Sequence, residues 1–282
     1  MPSVMKLAGA VTLYHPNNDV AENIKTYLDE LDVLYVLDNT EDPDPKWEDF
    51  FRKIDNVQYI SFYENKGISY ALNYALRKAG EEGYHFLLTM DQDSCFDPGV
   101  TAKYKQLAES YEAENPGRTA MYTVFFEGIA REEKVREVES SITSGSIVPV
   151  SIVEKIGGFD EALFIDEVDC EYCYRAQDYG YKIVQFPGIF MHHSIGERTY
   201  HSVLGFRYNT VNHPPIRRYY MGRNCVYVMR KYPRKIVLYC VGITKLIVKI
   251  ILAEKDKGNK LRYLARGIWD GIRGHMGKYK DR

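Results

Sequence analysis

The sequence predicts an α/β fold, a mostly parallel sheet covered by helices, with a basic helical extension at its end. Three observations carry this. Short apolar runs alternate with helix-length stretches through the first hundred residues, which is the strand–helix repeat of a parallel sheet. Each run stops in polar or turn-forming residues, and right-handed crossovers bring such ends to one edge. The charge is divided: residues 203–282 hold 19 Lys/Arg against 4 Asp/Glu, and residues 1–202 hold 18 against 35.

Residues 6–13 (Lys-Leu-Ala-Gly-Ala-Val-Thr-Leu) read as a first buried strand, turned by Tyr14-His15-Pro16-Asn17. Asn18 or Asp19 is placed to cap a helix over 20–31. A second strand at 32–37 ends in Asp38-Asn39-Thr40, and a Pro/Asp-rich loop leads to a short helix near 47–53. A third strand spans 57–62, Glu64-Asn65-Lys66-Gly67 turns, and a helix covers 68–79. The fourth strand, 84–90, stops at Asp91-Gln92-Asp93, and Cys95-Phe96-Asp97-Pro98-Gly99 turns the chain away. On this topology Tyr14, Asp38, Asn65 and Asp91 share one crevice, at the strand ends where open α/β sheets bind ligands.

The organisation changes after Thr101: a helix to about residue 112, a strand at 121–126, and a charged loop or edge at 131–139. Small, flexible Thr143-Ser144-Gly145-Ser146 precedes a strand and a helix at 151–156, and Gly157-Gly158-Phe159-Asp160-Glu161 is a tight turn. A helix is expected to start near Glu167, a strand at 182–186, and a polar loop at 191–196.

Length allows one large domain, or one with an appendage. The expected boundaries are a main domain at 1–230, with halves at 1–100 and 101–230, and an extension at 231–282. Hydrophobic content of 45% and charged content of 27% are ordinary for a globular protein. Tyrosine is not: 24 Tyr stand against 12 Phe and 2 Trp, and its polar-tipped ring suits grooves. Five scattered cysteines include one Cys170-x-x-Cys173 with no second pair, so reduced structural thiols in a cytosolic compartment are expected. The N-terminus runs straight into a strand, with no leader pattern.

Asp91 and Asp93 carry the chemistry. Residues i and i+2 of an extended segment point the same way, and two close carboxylates repel unless a cation lies between them. Mg²⁺ or Mn²⁺ bearing a diphosphate meets that geometry; a solvated turn is the plainer reading. A second acidic cluster, Asp166-Glu167-Val168-Asp169-Cys170-Glu171, sits at a helix start. Asp169 and Glu171 fall on different faces there, and Asp166 suits an N-cap.

Taken together, Asp38-Asn39, Asn65-Lys66-Gly67-Ile68-Ser69, Asp91-Gln92-Asp93, Ser144-Gly145-Ser146, Gly158-Phe159-Asp160-Glu161, Phe164-Ile165-Asp166-Glu167-Val168-Asp169, Arg175, His193-Ser194-Ile195-Gly196 and the segment 217–224 resemble family 2 glycosyltransferases. The likeness is strongest to the bacterial rhamnosyltransferase branch. It implies a GT-A fold, with a Rossmann-like sheet, and an inverting transfer from a nucleotide-sugar donor, dTDP-linked by branch or else UDP-linked. Thr12, Tyr14, Asp38, Asn65, Gly67 and Asp91 then resemble donor-binding positions. By the same resemblance Asp91, Asp93 and His193 are expected around the metal, Arg223 in a segment closing over the diphosphate, and Ser144, Gly145 and Asp166 toward the acceptor. Asp169 resembles the catalytic base; many relatives carry Glu-Asp where this chain has Val168-Asp169.

The acceptor implied is a saccharide, often lipid-linked, in cell-surface polysaccharide synthesis. The segment 236–252 is the most apolar stretch, but Lys245 and Lys249 interrupt it. At i and i+4 they share a face, which favours a surface helix on an anionic membrane over a span; a core-packing helix is the alternative. Peripheral attachment at the inner face of the cell membrane is therefore expected, with homo-oligomerisation left open. A sugar-phosphate nucleotidyltransferase would carry a Gly-rich loop after the first strand, and Tyr14-His15-Pro16-Asn17 has none. A non-catalytic sugar- or nucleotide-binding module is the other alternative. Nucleic acid is not expected, because acidic clusters at the crevice repel phosphate in the absence of a metal.

Overall fold

A computed structural model describes residues 5–126, 134–193, 198–203 and 206–281, with backbone only for 126, 198–203 and 206–211. The chain forms two compact units: Met1–Asp160 with Asp169–His193, and Glu161–Val168 with Ser194–Arg282. The division at 193/194 falls ahead of the 230/231 boundary that hydropathy and charge suggest.

The first unit opens with β1 (Leu7–Leu13), α1 (Asp19–Leu28), β2 (Val33–Asp38), α2 (Pro45–Phe51), β3 (Val57–Ser61), α3 (Ile68–Glu81) and β4 (Phe86–Asp91). These strands pair in parallel in the order β3-β2-β1-β4. Every residue of β2 is buried, as expected of a strand covered on both faces. The predicted cap of α1 differs: the Asn18 side chain makes no capping bond, and it is Asn17 whose Oδ1 accepts the Asp19 N–H at 3.1 Å.

Next come β5 (Ser94–Phe96), α4 (Val100–Glu114), β6 (Thr119–Phe126), β7 (Arg136–Glu137), β8 (Ser146–Pro149), α5 (Val150–Ile156), α6 (Val168–Asp178) and β9 (Lys182–His193). Here the sheet turns mixed. β8 lies antiparallel between β4 and β6, β9 runs parallel to β6, and β5 pairs antiparallel with β9. The sequence reads residues 95–99 as a turn and 191–196 as a loop; instead β5 and the end of β9 are strands, with Ser94 opposite His193. Pro187-Gly188 looks like a strand end because proline cannot donate to a ladder. The chain passes it in a register shift between Thr123 and Phe125 on β6, with Gly188 at φ 68°, and pairing resumes. His193 therefore reaches the same edge as β4.

The second unit holds β10 (Arg198–Val203), β11 (Phe206–Val211), α7 (Pro215–Lys231), a 3₁₀ turn at Pro233–Lys235, α8 (Ile236–Ala253) and α9 (Lys257–Arg273). α7 and α9 meet backbone to backbone. A Cβ on Gly267 would lie 2.1 Å from the Tyr219 carbonyl, and one on Gly271 2.7 Å from that of Arg223, so only glycine permits the contact. Glu254 is buried between Arg218 and Lys260. Burial opposes its charge, but the two cations outweigh it and hold the carboxyl below its usual range. This packing of α7 on the C-terminal helices moves the unit boundary upstream.

Candidate active site

The parallel half of the sheet sets the site. Register pairs Ser61 with Asp38, Asp38 with Leu13, and Thr12 with Asp91, so the carboxyl ends of four strands lie side by side. Each carries a polar group to one edge, as crossover handedness requires.

At that edge Asp91, Asp93 and His193 offer ligand atoms all within 4.8 Å of one another. His193 Nδ1 lies 3.4 Å from Asp93 Oδ1, and the Asp93 side chain is 43% exposed. Two carboxylates and an imidazole form an oxygen–nitrogen donor set that could hold a divalent cation. The adjacent His192 points the other way, its Nε2 2.9 Å from Asp97 Oδ1, because alternate strand residues face opposite sides.

Beneath these ligands runs a buried hydroxyl chain. The Asp91 N–H donates to Ser144 Oγ at 3.0 Å, Ser144 Oγ lies 2.8 Å from Ser94 Oγ, and Ser94 Oγ lies 2.7 Å from His193 Nδ1. Ser94 and Ser144 are sealed from solvent. The hydroxyl assigned in sequence to the acceptor is thus part of the floor under Asp91, which corrects that expectation. Gly145 shares this fate: at φ 72° its Cβ position is filled by Met191 Sδ at 2.6 Å. It is a turn glycine, not an acceptor contact.

Asp38 is fully buried. Its Oδ1 accepts the Thr40 N–H at 2.8 Å and its Oδ2 the Tyr59 hydroxyl at 2.7 Å; burial and then that hydrogen bond push the Tyr59 phenol well above its ordinary pKa. With each oxygen accepting one such bond, Asp38 shapes the loop after β2. Asn39 ties the same loop to the next, accepting the Lys66 N–H and donating to the Gly67 carbonyl, each at 3.3 Å. Asn65 Oδ1 accepts the Gly67 N–H at 3.0 Å, and Gly67 sits at φ 86°, a conformation open to glycine. The Thr12 hydroxyl is buried with no hydrogen-bond partner among the described residues, while the Tyr14 ring is exposed.

Gln92, between the two acids, has a role that no ligand chemistry in the sequence signals. Its amide oxygen accepts the Tyr14 N–H at 2.9 Å, its amide nitrogen donates to the Tyr14 carbonyl at 3.2 Å, and its own carbonyl accepts from Asn23 at 2.9 Å. The acid loop is thereby laced to the loop after β1. The signal was alternation: if the acids face the crevice, the residue between them faces the neighbouring element.

On α6 the two acids separate as their helical spacing implies. Glu171 is buried and pairs with Arg175 at 2.8 and 3.0 Å, and Arg175 also donates to the carbonyls of Ile156, Gly157 and Gly158. Asp169 lies in the first turn, partly exposed, its Oδ1 accepting the Cys170 N–H at 2.8 Å. Removing Glu171 leaves a largely buried guanidinium without its carboxylate, so Glu171→Ala is expected to cost about 3–5 kcal/mol in chemical denaturation. A loss below 1 kcal/mol would show the pair to be dispensable. Cys173 is buried against the Ser141 carbonyl and its thiol is pushed up to about 12 by burial, consistent with a packing role.

In the second unit, Arg223 does not reach outward. It is fully buried, and its guanidinium donates to the carbonyls of Leu163 at 2.7 Å, Ala162 and Gly277. Asn224 adds bonds to the carbonyls of Leu163, Ile165 and Asp166. Together they hold a loop in which Phe164, Asp166 and Glu167 all have φ above 60°, a strained backbone that persists only when over-determined. The expected diphosphate contact is replaced by this clamp. Asp166 is not the N-cap, because the helix starts two residues later; its Oδ1 accepts from Arg217 at 2.7 Å. Of the His193-to-Gly196 motif, residues 194–196 lie outside the described residues.

Comparison with known proteins fits this picture. Residues 13–134 match the family model "Glycosyl transferase family 2". The chain is 28% identical over 287 residues to the dTDP-rhamnosyl transferase RfbF of Shigella flexneri, covering 95% of each. Its backbone resembles GalNAc-T7, whose structure was solved with UDP, GalNAc and Mn²⁺, at TM-score 0.57 and 11% identity over 72% of this chain and 45% of that one. It also resembles Staphylococcus aureus TarS, at TM-score 0.52 and 14% identity over 94% of this chain and 43% of that one. The chain thus spans less than half of either solved protein, and these two likenesses concern the fold.

Residues 13–134 thus resemble the family 2 glycosyltransferases, and the mixed α/β fold is of the GT-A type. Within that class its sequence is rhamnosyltransferase-like.

Proposed function

We propose that the chain moves rhamnose from dTDP-rhamnose, with inversion and with a divalent cation, to a saccharide acceptor on a lipid carrier, at the cytoplasmic face of a membrane. The product would enter a bacterial cell-surface polysaccharide. The observation that carries the reading is the convergence of Asp91, Asp93 and His193 at the carboxyl edge of the parallel strands. The sugar and nucleotide rest on likeness to the rhamnosyl transferase, and Mn²⁺ or Mg²⁺ on the donor set and on the ion named for GalNAc-T7.

In this mechanism Asp91, Asp93 and His193 would hold the cation, which would supply positive charge to offset the negative charge growing on the departing diphosphate. The exposed ring of Tyr14, held by Gln92, offers a face to the nucleobase, and the unpartnered Thr12 hydroxyl is a donor at the same edge. Asp169 takes the acceptor hydroxyl's proton as that oxygen attacks the anomeric carbon from the side opposite the leaving group. One displacement inverts the centre, and no sugar becomes attached to the protein.

A thermal-shift panel of nucleotide sugars with and without Mn²⁺ tests the donor, since a ligand bound only by the folded form raises its stability. dTDP-rhamnose should give the largest metal-dependent rise. A larger rise with a UDP-sugar would overturn the donor assignment and leave the class intact. The hydroxyl chain yields its own expectation. Supporting residues that orient a ligating histidine are worth about 10–100-fold in metal affinity, so Ser94→Ala should weaken Mn²⁺ binding by that factor in calorimetry, and Ser94→Thr should recover part of it.

A further inference from the structure

α8 is apolar nearly all round, yet only 11% of its apolar window is buried. Among the described residues, nine of the thirteen exposed large hydrophobic side chains lie between Ile236 and Ile272. On α8, Tyr239 and Ile250 mark the face packed on the unit. Val237, Val241, Val248 and Leu252 recur at helical spacing on the opposite side and are exposed. Lys245 and Lys249, one turn apart, edge this strip. Exposed Lys231, Arg234, Lys255 and Lys257 flank the two helix ends. Of the acids in this segment, Glu254 is buried between Arg218 and Lys260, and Asp256 is the exposed one.

We infer that the outer face of α8 docks in the plane of an anionic lipid surface, the apolar strip among the acyl chains and the lysine edge at the headgroups. This deepens the membrane placement proposed above and stands apart from the donor and metal assignments, which concern the other unit. A second copy of the chain fits less well, because mating two such faces brings like-charged edges and ends together. A span fits less well also. Eighteen residues reach about 27 Å, close to a bilayer core, but Lys245 would lie at its centre, where a charge is expensive. Moreover, Tyr239 donates to Glu167 and is packed away from solvent, and withdrawing α8 into a bilayer would break that tie. An interfacial helix keeps it.

The full chain is floated with vesicles of phosphatidylcholine alone and of phosphatidylcholine with phosphatidylglycerol, beside Val237→Glu/Val241→Glu/Val248→Glu and Lys245→Glu/Lys249→Glu variants. These positions lie on the outer side of α8 or at its edge, so thermal melting and nucleotide binding should stay unchanged. The wild type should float with the anionic vesicles and less so as salt rises. The triple variant should stay in the pellet fraction, and the lysine variant should lose roughly fivefold in partition per lysine. Equal behaviour on both vesicle types, flotation of the triple variant, or no flotation at all would overturn the inference while leaving the transferase reading untouched. A dimer in sedimentation velocity that the triple variant dissolves would assign the face to a second copy instead.

Discussion

Asp169→Asn should lower sugar transfer by about 10²–10⁴-fold, the range that a positioned proton acceptor contributes, while leaving Mn²⁺ and donor binding unchanged. The expectation rests on how α6 treats the two acids of its first turn. Glu171 is buried and both its oxygens are bonded to Arg175, so it is closed to a substrate. Asp169, two residues earlier and on a different face of the helix, is partly exposed. An asparagine preserves size and can still accept the Cys170 N–H through its amide oxygen, so helix and loop should persist. The informative comparison is single-turnover transfer beside calorimetry on the same preparation. Near-wild-type turnover would remove Asp169 from the base role. Loss of donor affinity together with turnover would mean that the residue shapes the donor site.

Asp93→Ala should abolish the metal-dependent part of donor binding, a loss larger than the ~10–100-fold expected for a supporting residue such as Ser94. A cation between them would offset the repulsion of the two carboxylates at this edge, and Asp93 is 43% exposed. The wild type treated with chelator should match the variant. If the variant still responded to Mn²⁺ as the wild type does, the cation would have to sit elsewhere. The two variants should also separate kinetically: Asp169→Asn acts on the chemical step, Asp93→Ala on assembly of the donor complex.

The parallel half of the fold was legible because its signals are local. β1 to β4 are apolar runs closed by turns, and their boundaries fall within two residues of expectation. Asp91 and Asp93 could be paired from i, i+2 spacing alone. What the sequence could not show was which strand would bring His193 beside them. That depends on β9 continuing past Pro187-Gly188 and on β5 folding back along it, and both are pairings between distant segments. Buried polar roles were equally hidden. A serine, an aspartate or an arginine in a glycosyltransferase-like motif reads as a ligand contact, whereas Ser144, Asp38 and Arg223 spend their hydrogen bonds on the backbone and on neighbouring side chains. A buried donor or acceptor must be satisfied internally, and that demand is visible only once burial is known. Gln92 went unread for the opposite reason, since no ligand chemistry draws the eye to an amide between two acids.

The central claim is that one cation held by Asp91, Asp93 and His193 carries the donor's diphosphate, with the Asp169 carboxylate across the sugar from it. Anomalous scattering at the manganese edge, from crystals grown with Mn²⁺ and dTDP, tests this most directly. The account predicts a single strong peak ligated by those three side chains and by the diphosphate, with Asp169 about a hexose ring's width away. A peak on other residues, or an Asp169 carboxylate turned into a separate cavity, would contradict it.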